Sequence, residues 1–538
     1  MERNKQAEPE SLGKERPQGQ TASADSLFID AAQRHERRYQ RIISFTHSST
    51  KAAGIMLVAA IAALVIANSP AAHPFEEFVH TQAGFFFGDA AASMSLGHVI
   101  NDLLMSFFFL LVGLEIKYEM TAGELTSLRQ ALLPIIAAIG GVLMPIAIYL
   151  LLNGAVSETA GGWGVPTATD IAFALGIMAL LGNRIPRGIR VFLSTLAVAD
   201  DIIAVLLIAL FYGDAPDFRY LLAAAVVLAA LIAVNRSHVY GLVPYLLLGC
   251  VLWVLVYQSG IHATLAGVLL AFTIPSGSRV NLKTFIGWSD EKIRQADASF
   301  QPDEPLIGQK DYVHSIRQLS KVSRQVIPPA TRLENALYPW VYFLILPLFA
   351  LTNANVTISG DVGSIVSSPA FLGVFFGLLA GKPAGILLAS FIVVKIRLAR
   401  LPEQVTWGHM VGASVLGGIG FTMAIFVANL AFDDAGAMMA AKLAILAASL
   451  IAGVAGFLLL GFEARRSAQE GVVFLNIAAD EENLPHVERE DLDDAIRVSE
   501  KVEDSDQEAY HAALLDDSPH GIRAHIRTDR LRSREGGK

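Results

Sequence analysis

The chain has 538 residues, of which 53% are hydrophobic and 17% charged, with one cysteine and a net charge of −9. Apolar runs of about 20 residues recur from Gly54 to Phe462, each enough to cross ~30 Å of hydrocarbon as a helix. This composition excludes an ordinary soluble domain. The lone Cys250 excludes an internal disulfide and any cysteine-built metal or redox centre.

Residues 1–50 are polar and lack an early apolar run, so they read as a largely disordered cytoplasmic extension without a cleavable signal peptide. Twelve spans follow, at about 52–69, 97–119, 131–152, 165–182, 188–211, 219–235, 241–257, 260–275, 333–353, 371–395, 410–432 and 437–462. The sixth to eighth are closely spaced, which leaves eleven as the alternative. The chain therefore divides into spans one to eight (51–275), a loop (276–330), spans nine to twelve (331–462) and a tail (463–538). Within the tail, residues 480–517 carry fifteen Asp/Glu against three Lys/Arg, and 522–538 turn basic. Such opposed charge blocks suit a disordered segment, with room for a short amphipathic helix from Leu492 to Val502.

Loop charges set the orientation. Lys and Arg gather before span one (Arg34, Arg37, Arg38, Arg41, Lys51), after span two (Lys117, Arg129) and after span four (Arg184, Arg187). Arg236, the stretch from Arg279 to Arg332, then Lys395, Arg397, Arg400, Arg465 and Arg466 continue the series. The alternate loops contain neither residue, with Arg219 at the border of one. The positive-inside rule then puts both termini and the 276–330 loop in the cytoplasm, and the unbroken alternation favours twelve spans.

Two spans carry helix-disturbing chemistry. Span four opens Gly164-Val165-Pro166-Thr167-Ala168-Thr169-Asp170, and span eleven contains Gly417-Gly418-Ile419-Gly420-Phe421-Thr422. Irregular backbone at membrane depth is tolerated only where protein or a water-filled cavity satisfies it. Spans three to five and ten to twelve each place an interrupted helix between two continuous ones and run in opposite senses, the pattern of an inverted repeat with its site at the interface.

Four ionisable residues lie inside spans: Asp170, Asp200, Asp201 and Lys382. A charge at the bilayer centre costs ~2.5–3.5 kcal/mol on insertion scales, and such residues commonly mark ion or proton pathways. Packing needs at most one carboxylate, so the adjacent Asp200 and Asp201 point to binding. In a low dielectric both cannot carry charge cheaply. Proton and hard cation then compete for the same oxygens, and a site opened alternately to each side turns competition into exchange. Lys382, in Gly381-Lys382-Pro383, is placed to pair with one aspartate or to face the carbonyl end of a broken helix. Asp170 suits exposed helix N-termini, although a hydrogen-bonded packing role competes equally for it.

Other polar positions carry less. Asn101 and Asp102 read as an ordinary outer boundary. Glu115, Glu119 and Glu334 fall at one face, as solvated helix ends or the lip of an access funnel. His262 reads first as a packing residue.

These residues sit in PTATDIAFALGIMALLG (166–182), FLSTLAVADDIIAVLLIALFY (192–212), SGIHATLAGV (259–268), YPWVYFLILPLFALTNA (338–354), AGKPAGI (380–386) and GGIGFTMAIFVANLAF (417–432). With VINDLLMSFFFLLVGLEIK (99–117), they cover nearly all of the membrane region, and together the chain resembles the NhaA family of bacterial Na+/H+ antiporters. The resemblance implies an all-α polytopic inner-membrane protein with inverted repeats and two broken helices crossing near the bilayer midplane. The inverted repeat is a described feature of that family, so it is not independent of the resemblance. The activity implied is secondary transport, not enzyme catalysis: Na+ or Li+ leaves the cytoplasm while a larger number of protons enters, supporting sodium and pH homeostasis. Cation and proton binding fall to Asp200 and Asp201, with Asp170, Thr169 and Lys382 at the crossing. No cofactor or nucleic acid is implied; the partners are the transported ions, the lipid bilayer and a second copy in a homodimer. The chain departs from short members in its longer N-terminus, 276–330 loop and tail. Asn335 and Tyr338 also stand where histidines of the family's pH-sensing region are expected, leaving Glu115, Glu119 and Glu334 as candidate sensors or funnel residues.

Two other classes compete on the residues. An intramembrane aspartyl protease needs carboxylates on two facing helices and a Gly-x-Gly-Asp motif, which this chain lacks; adjacent aspartates diverge by about 100° on one helix. An organic-anion transporter is disfavoured by intramembrane carboxylates.

Overall fold

The structure, a computed structural model, describes residues 43, 45, 46, 48–87, 90–126, 128–213, 216–302, 304–357, 362–402 and 404–469. The expectations for residues 1–42 and for the tail beyond 469, the segment from Leu492 to Val502 included, lie outside these residues. Of the short unit Met1–Ser48, the Thr46 hydroxyl donates to the Ile43 carbonyl at 3.1 Å.

Long apolar helices dominate. Helix α1 (Ser49–Ala67) is followed by a short α2 (Ala72–His80) and an antiparallel pair, β1 (Gln82–Phe87) with β2 (Ala90–Ser95), in which Gln82 faces Ser95. This hairpin is the departure from an all-helical reading among the described residues, and Phe85, Phe86 and Phe87 lie on its first strand. Then come α3 (Leu96–Thr121), α4 (Leu128–Asn153), α5 (Ile171–Ala179), α6 (Arg187–Phe211), α7 (Phe218–Arg236), α8 (Leu242–Gln258) and α9 (Leu265–Thr273). Next are α10 (Leu282–Ser299), α11 (Lys310–Val326), α12 (Pro329–Asn353), α13 (Pro369–Lys395), α14 (Trp407–Gly417), α15 (Phe421–Ala431) and α16 (Ala435–Gln469).

Among the described residues, eight helices are long and apolar enough to cross a membrane, and the bent pair α14–α15 makes a ninth. Helix α8 is apolar over 17 residues. The spans expected at 165–182 and 260–275 are different: each holds a helix of nine residues, only about 13 Å long. Span four is entered through a 3-10 segment, Ala160–Thr167, which begins before the expected bound and ends three residues short of α5. Span eight begins with turns around Gly260, whose φ of 81° suits a residue without Cβ. The 276–330 segment is a helical hairpin, with α10 packed on α11. Spans two, nine and ten are not uniformly α-helical either. Each contains a π-helical turn, at Val99–Leu104, Val341–Ile345 and Gly377–Gly381, the last ending directly before Lys382. Such turns concentrate at functional positions.

Packing relies on small residues, as expected where lipid removes the hydrophobic drive between helices. Helices α4 and α13 touch backbone to backbone: a Cβ at Gly140 would stand 2.4 Å from the Gly385 carbonyl oxygen, and one at Gly385 2.1 Å from that of Gly140. Helices α3 and α9 meet similarly, through Gly113 against Ala271 and Gly267 against the Ser106 carbonyl. The main core joins α1, α3, α4, α6 and α12 to α16, and a second core gathers α7, α8 and α9. Outward-facing Leu151, Leu210, Phe218 and Phe462 stay exposed, the apolar skin a bilayer covers.

Gly385→Val should therefore force α4 and α13 apart. A loss of about 1–3 kcal/mol is expected from overpacking, read as a lower thermal midpoint in detergent. An unchanged midpoint would show that the contact carries no packing energy.

Candidate ion site where two broken helices meet

Both breaks follow from local sequence. In span four Pro166 has no N–H to continue a ladder, and Ala168 and Asp170 turn extended before α5 begins. In span eleven the run Gly418-Ile419-Gly420 separates α14 from α15, which diverge by 43°. The breaks touch: the Asp170 N–H donates to the Ile419 carbonyl at 2.7 Å. Four half-helix ends thus converge, and each needs a polar partner.

The N–H ends share one carboxyl group. Asp170 caps α5 by accepting from the Phe173 N–H at 3.1 Å through Oδ1. Its Oδ2 accepts from Thr422 at the start of α15, from the N–H at 3.2 Å and the hydroxyl at 2.5 Å. One buried side chain therefore sits at two positive helix ends. Thr422→Val keeps the backbone bond and removes the hydroxyl, so it should cost about 1.5–3 kcal/mol of stability. A thermal midpoint equal to wild type would reassign the capping to backbone alone.

The carbonyl ends receive donors instead. Lys382 Nζ donates to the Thr167 carbonyl, at the end of the 3-10 segment, and to Asp200 Oδ2 at 2.6 Å. Thr169 Oγ1 lies 2.7 Å from Asp200 Oδ2 and 3.0 Å from the Gly417 carbonyl, the last of α14. Asp170, Thr169, Asp200, Asp201 and Lys382 are all buried. The two adjacent aspartates are not equivalent. Asp200 Oδ2 is held by a lysine and a threonine, while its Oδ1 is a buried oxygen without a hydrogen-bond partner among the described residues. Asp201 makes no hydrogen bond among the described residues and borders a small apolar cleft with Phe109, Ala168, Met423 and Phe426.

A chamber of about 260 Å³ leads toward this cluster, lined by Glu115, Glu119, Glu334, Tyr338, Tyr342 and Ser49 among others. Its inner wall contains Ile171 and Ala172, next to Asp170, and Ser194 and Val198 on α6. Val198 precedes Asp201 by three residues, one helical turn on the same face. The structure thus brings Glu115, Glu119 and Glu334 into one chamber whose lining, among the described residues, holds no Lys or Arg. A low-dielectric cleft of one charge sign concentrates ions of the other.

Further polar residues gain their partners only in the fold. Asn353 joins Asn101 in the π-turn of α3 (2.7 Å) to Asn429 on α15 (2.7 Å), so Asn101 belongs to an interhelical network and not merely to a span boundary. Thr422 lies inside the glycine-rich run but drew no attention of its own. His262 contacts the Tyr212 carbonyl, consistent with packing.

Fold and site define a polytopic helical membrane protein whose buried ionisable cluster is built on two interrupted helices. The chain belongs to the family described as Na+/H+ antiporter 1, which it matches over residues 43–460. Among curated relatives, the Na(+)/H(+) antiporter NhaA of Oleidesulfovibrio alaskensis is 46% identical over 408 residues, 76% of this chain and 90% of the relative. That of Wolinella succinogenes is 42% identical over 424 residues, 79% and 93% of the two chains. That of Koribacter versatilis is 45% identical over 419 residues, 78% and 90%.

Proposed function

We propose that this protein exchanges cytoplasmic Na+, or Li+, for protons across a bacterial inner membrane, with Asp200 and Asp201 as the shared binding carboxylates. The observation that carries the reading is the pair of buried aspartates beside the crossing: among the described residues Asp200 Oδ1 has no hydrogen-bond partner, and Asp201 borders a small apolar cleft without a hydrogen bond of its own. A small cation prefers such oxygens, with the Thr169 hydroxyl and broken-helix carbonyls as further ligands. When protons occupy the pair the cation is displaced, and when the cation binds it offsets their mutual repulsion.

Two protons traded for one monovalent cation move one net charge per cycle, so exchange is electrogenic. Access alternates: the acidic chamber serves the cytoplasmic side, and relative movement of the two broken-helix units exposes the aspartates to the other. Both termini and the α10–α11 hairpin are then cytoplasmic, in line with the basic loops. Glu115, Glu119 and Glu334 form the funnel that gathers cations and responds to pH. A homodimer in the lipid bilayer completes the reading.

The test is proton movement evoked by Na+ in everted vesicles from cells lacking other antiporters, measured from mildly acidic to alkaline pH. Proton efflux from the vesicle interior on adding Na+ or Li+, faster when a permeant ion dissipates the charge, is the expected result. Absence of a response at every pH, with the protein shown to be inserted, would sink it.

A further inference from the structure

Helix α11 carries charge of one sign on one side. Lys310, His314, Arg317, Lys321 and Arg324 stand at i, i+4, i+7, i+11 and i+14, within about 80° of one another around the axis and along ~21 Å of it. All five are exposed, and among the described residues none of the four Lys/Arg side chains makes an ion pair. The single acidic residue of this helix, Asp311, lies one position on from Lys310, about 100° around. Helix α10 differs: Lys283, Lys292 and Arg294 are interleaved with Asp290, Glu291 and Asp297, which offsets its charge locally.

The opposite side of α11 is already covered. Ser315 is buried and Leu319, Val322 and Val326 are half-buried where α11 packs on α10, and the Tyr312 ring meets that of Phe300 at a tilt of 49° with centroids 5.2 Å apart. A helix lying on lipid needs its apolar side free. Here that side faces a neighbour and the basic stripe points away from it. Insertion of an apolar face into lipid therefore does not account for the stripe.

The chain itself holds a counterpart. Residues 480–517 contain fifteen Asp/Glu against three Lys/Arg, starting eleven residues after Gln469. The end of α16 lies beside the start of α14, where the Thr406 hydroxyl approaches Glu463 Oε1 at 3.5 Å. The starts of α1 and α12 and the end of α3 line one chamber, and α12, α13 and the α14–α15 pair follow in alternating directions, so α11 and the exit of α16 share one end of the bundle. A link of ten residues reaches up to about 35 Å, and the acidic run extends far beyond that.

We propose that the acidic segment 480–517 docks on the basic stripe of α11 in the same chain. The attraction is between exposed charges, so it weakens as salt shortens the screening length.

Zero-length carbodiimide coupling of the full-length protein, read by mass spectrometry, tests this directly. In nanodiscs of neutral phosphatidylcholine at low salt, Lys310 and Lys321 should couple to carboxylates within 480–517, in clear preference to Lys283 and Lys292. The Arg317→Gln/Arg324→Gln variant keeps both reporter lysines and halves the Lys/Arg charge of the stripe; its links should fall several-fold, as should those of wild type at high salt. The same links should persist in nanodiscs containing anionic phosphatidylglycerol. No links to the segment, links spread evenly over all surface lysines, or links that vanish once anionic lipid is present would overturn the proposal, the last by assigning the stripe to the membrane.

Discussion

Asp201→Asn is expected to abolish Na+-evoked proton movement while leaving the folded protein at least as stable as wild type. Asp201 has no hydrogen bond to lose among the described residues, and a buried unpaired carboxyl is a burden that the neutral amide lightens. Asp200→Asn should abolish exchange equally but lower the thermal midpoint, because Lys382 then keeps a buried charge opposite a neutral group. The two substitutions are adjacent and chemically identical, so their contrast isolates the environment. Vesicle transport together with thermal unfolding in detergent decides the matter. Exchange surviving either substitution would remove that aspartate from the shared site. A large stability loss in Asp201→Asn would give it a structural role that the geometry does not assign.

The second large effect belongs to Lys382. Its ammonium group meets Asp200 Oδ2 at 2.6 Å with both side chains buried, and it also serves the orphan carbonyl of Thr167. Removing one partner of a buried pair costs about 3–5 kcal/mol, mostly because the other charge is stranded. Lys382→Met should therefore lower stability by that order. In the Asp200→Asn background the same substitution should cost far less, giving a coupling energy of roughly 2–3 kcal/mol in the double-mutant cycle. Additive losses in the cycle would mean that Lys382 stabilises chiefly through the Thr167 carbonyl and α4 packing. The stability measurement is independent of transport, so it holds whatever ion the protein carries.

Much of this site was legible in the residues because charges inside apolar spans are scarce and expensive. Asp170, Asp200, Asp201 and Lys382 stand out for that reason, Thr169 enters only through the resemblance, and the structure brings all five together. Proline and glycine marked both breaks, since neither residue sustains a helix ladder as others do. The Asn101–Asn353–Asn429 network was not legible: a neutral amide in a span shows no sign of its partner, and these three are separated by 252 and 76 positions. The hairpin at Gln82–Ser95 was hidden as well, because small residues on its second strand, AAASMS, give no alternating pattern. The amphipathic repeat of α11 is readable in the residues, but the charged, turn-rich stretch around it reads as a loop by hydropathy alone.

Hydropathy, proline and glycine placement, and the charges buried in spans determined by themselves that this is a polytopic helical membrane protein with two interrupted helices and carboxylates buried within its spans. Those properties are local: each follows from the transfer cost or backbone chemistry of residues close together in the chain. Only the tertiary structure decided which aspartate Lys382 neutralises, that Asp170 serves two helix ends at once, and that three glutamates from α3 and α12 face one chamber. Adjacent residues on a helix diverge by about 100°, so what each of them meets depends on the helices packed around it.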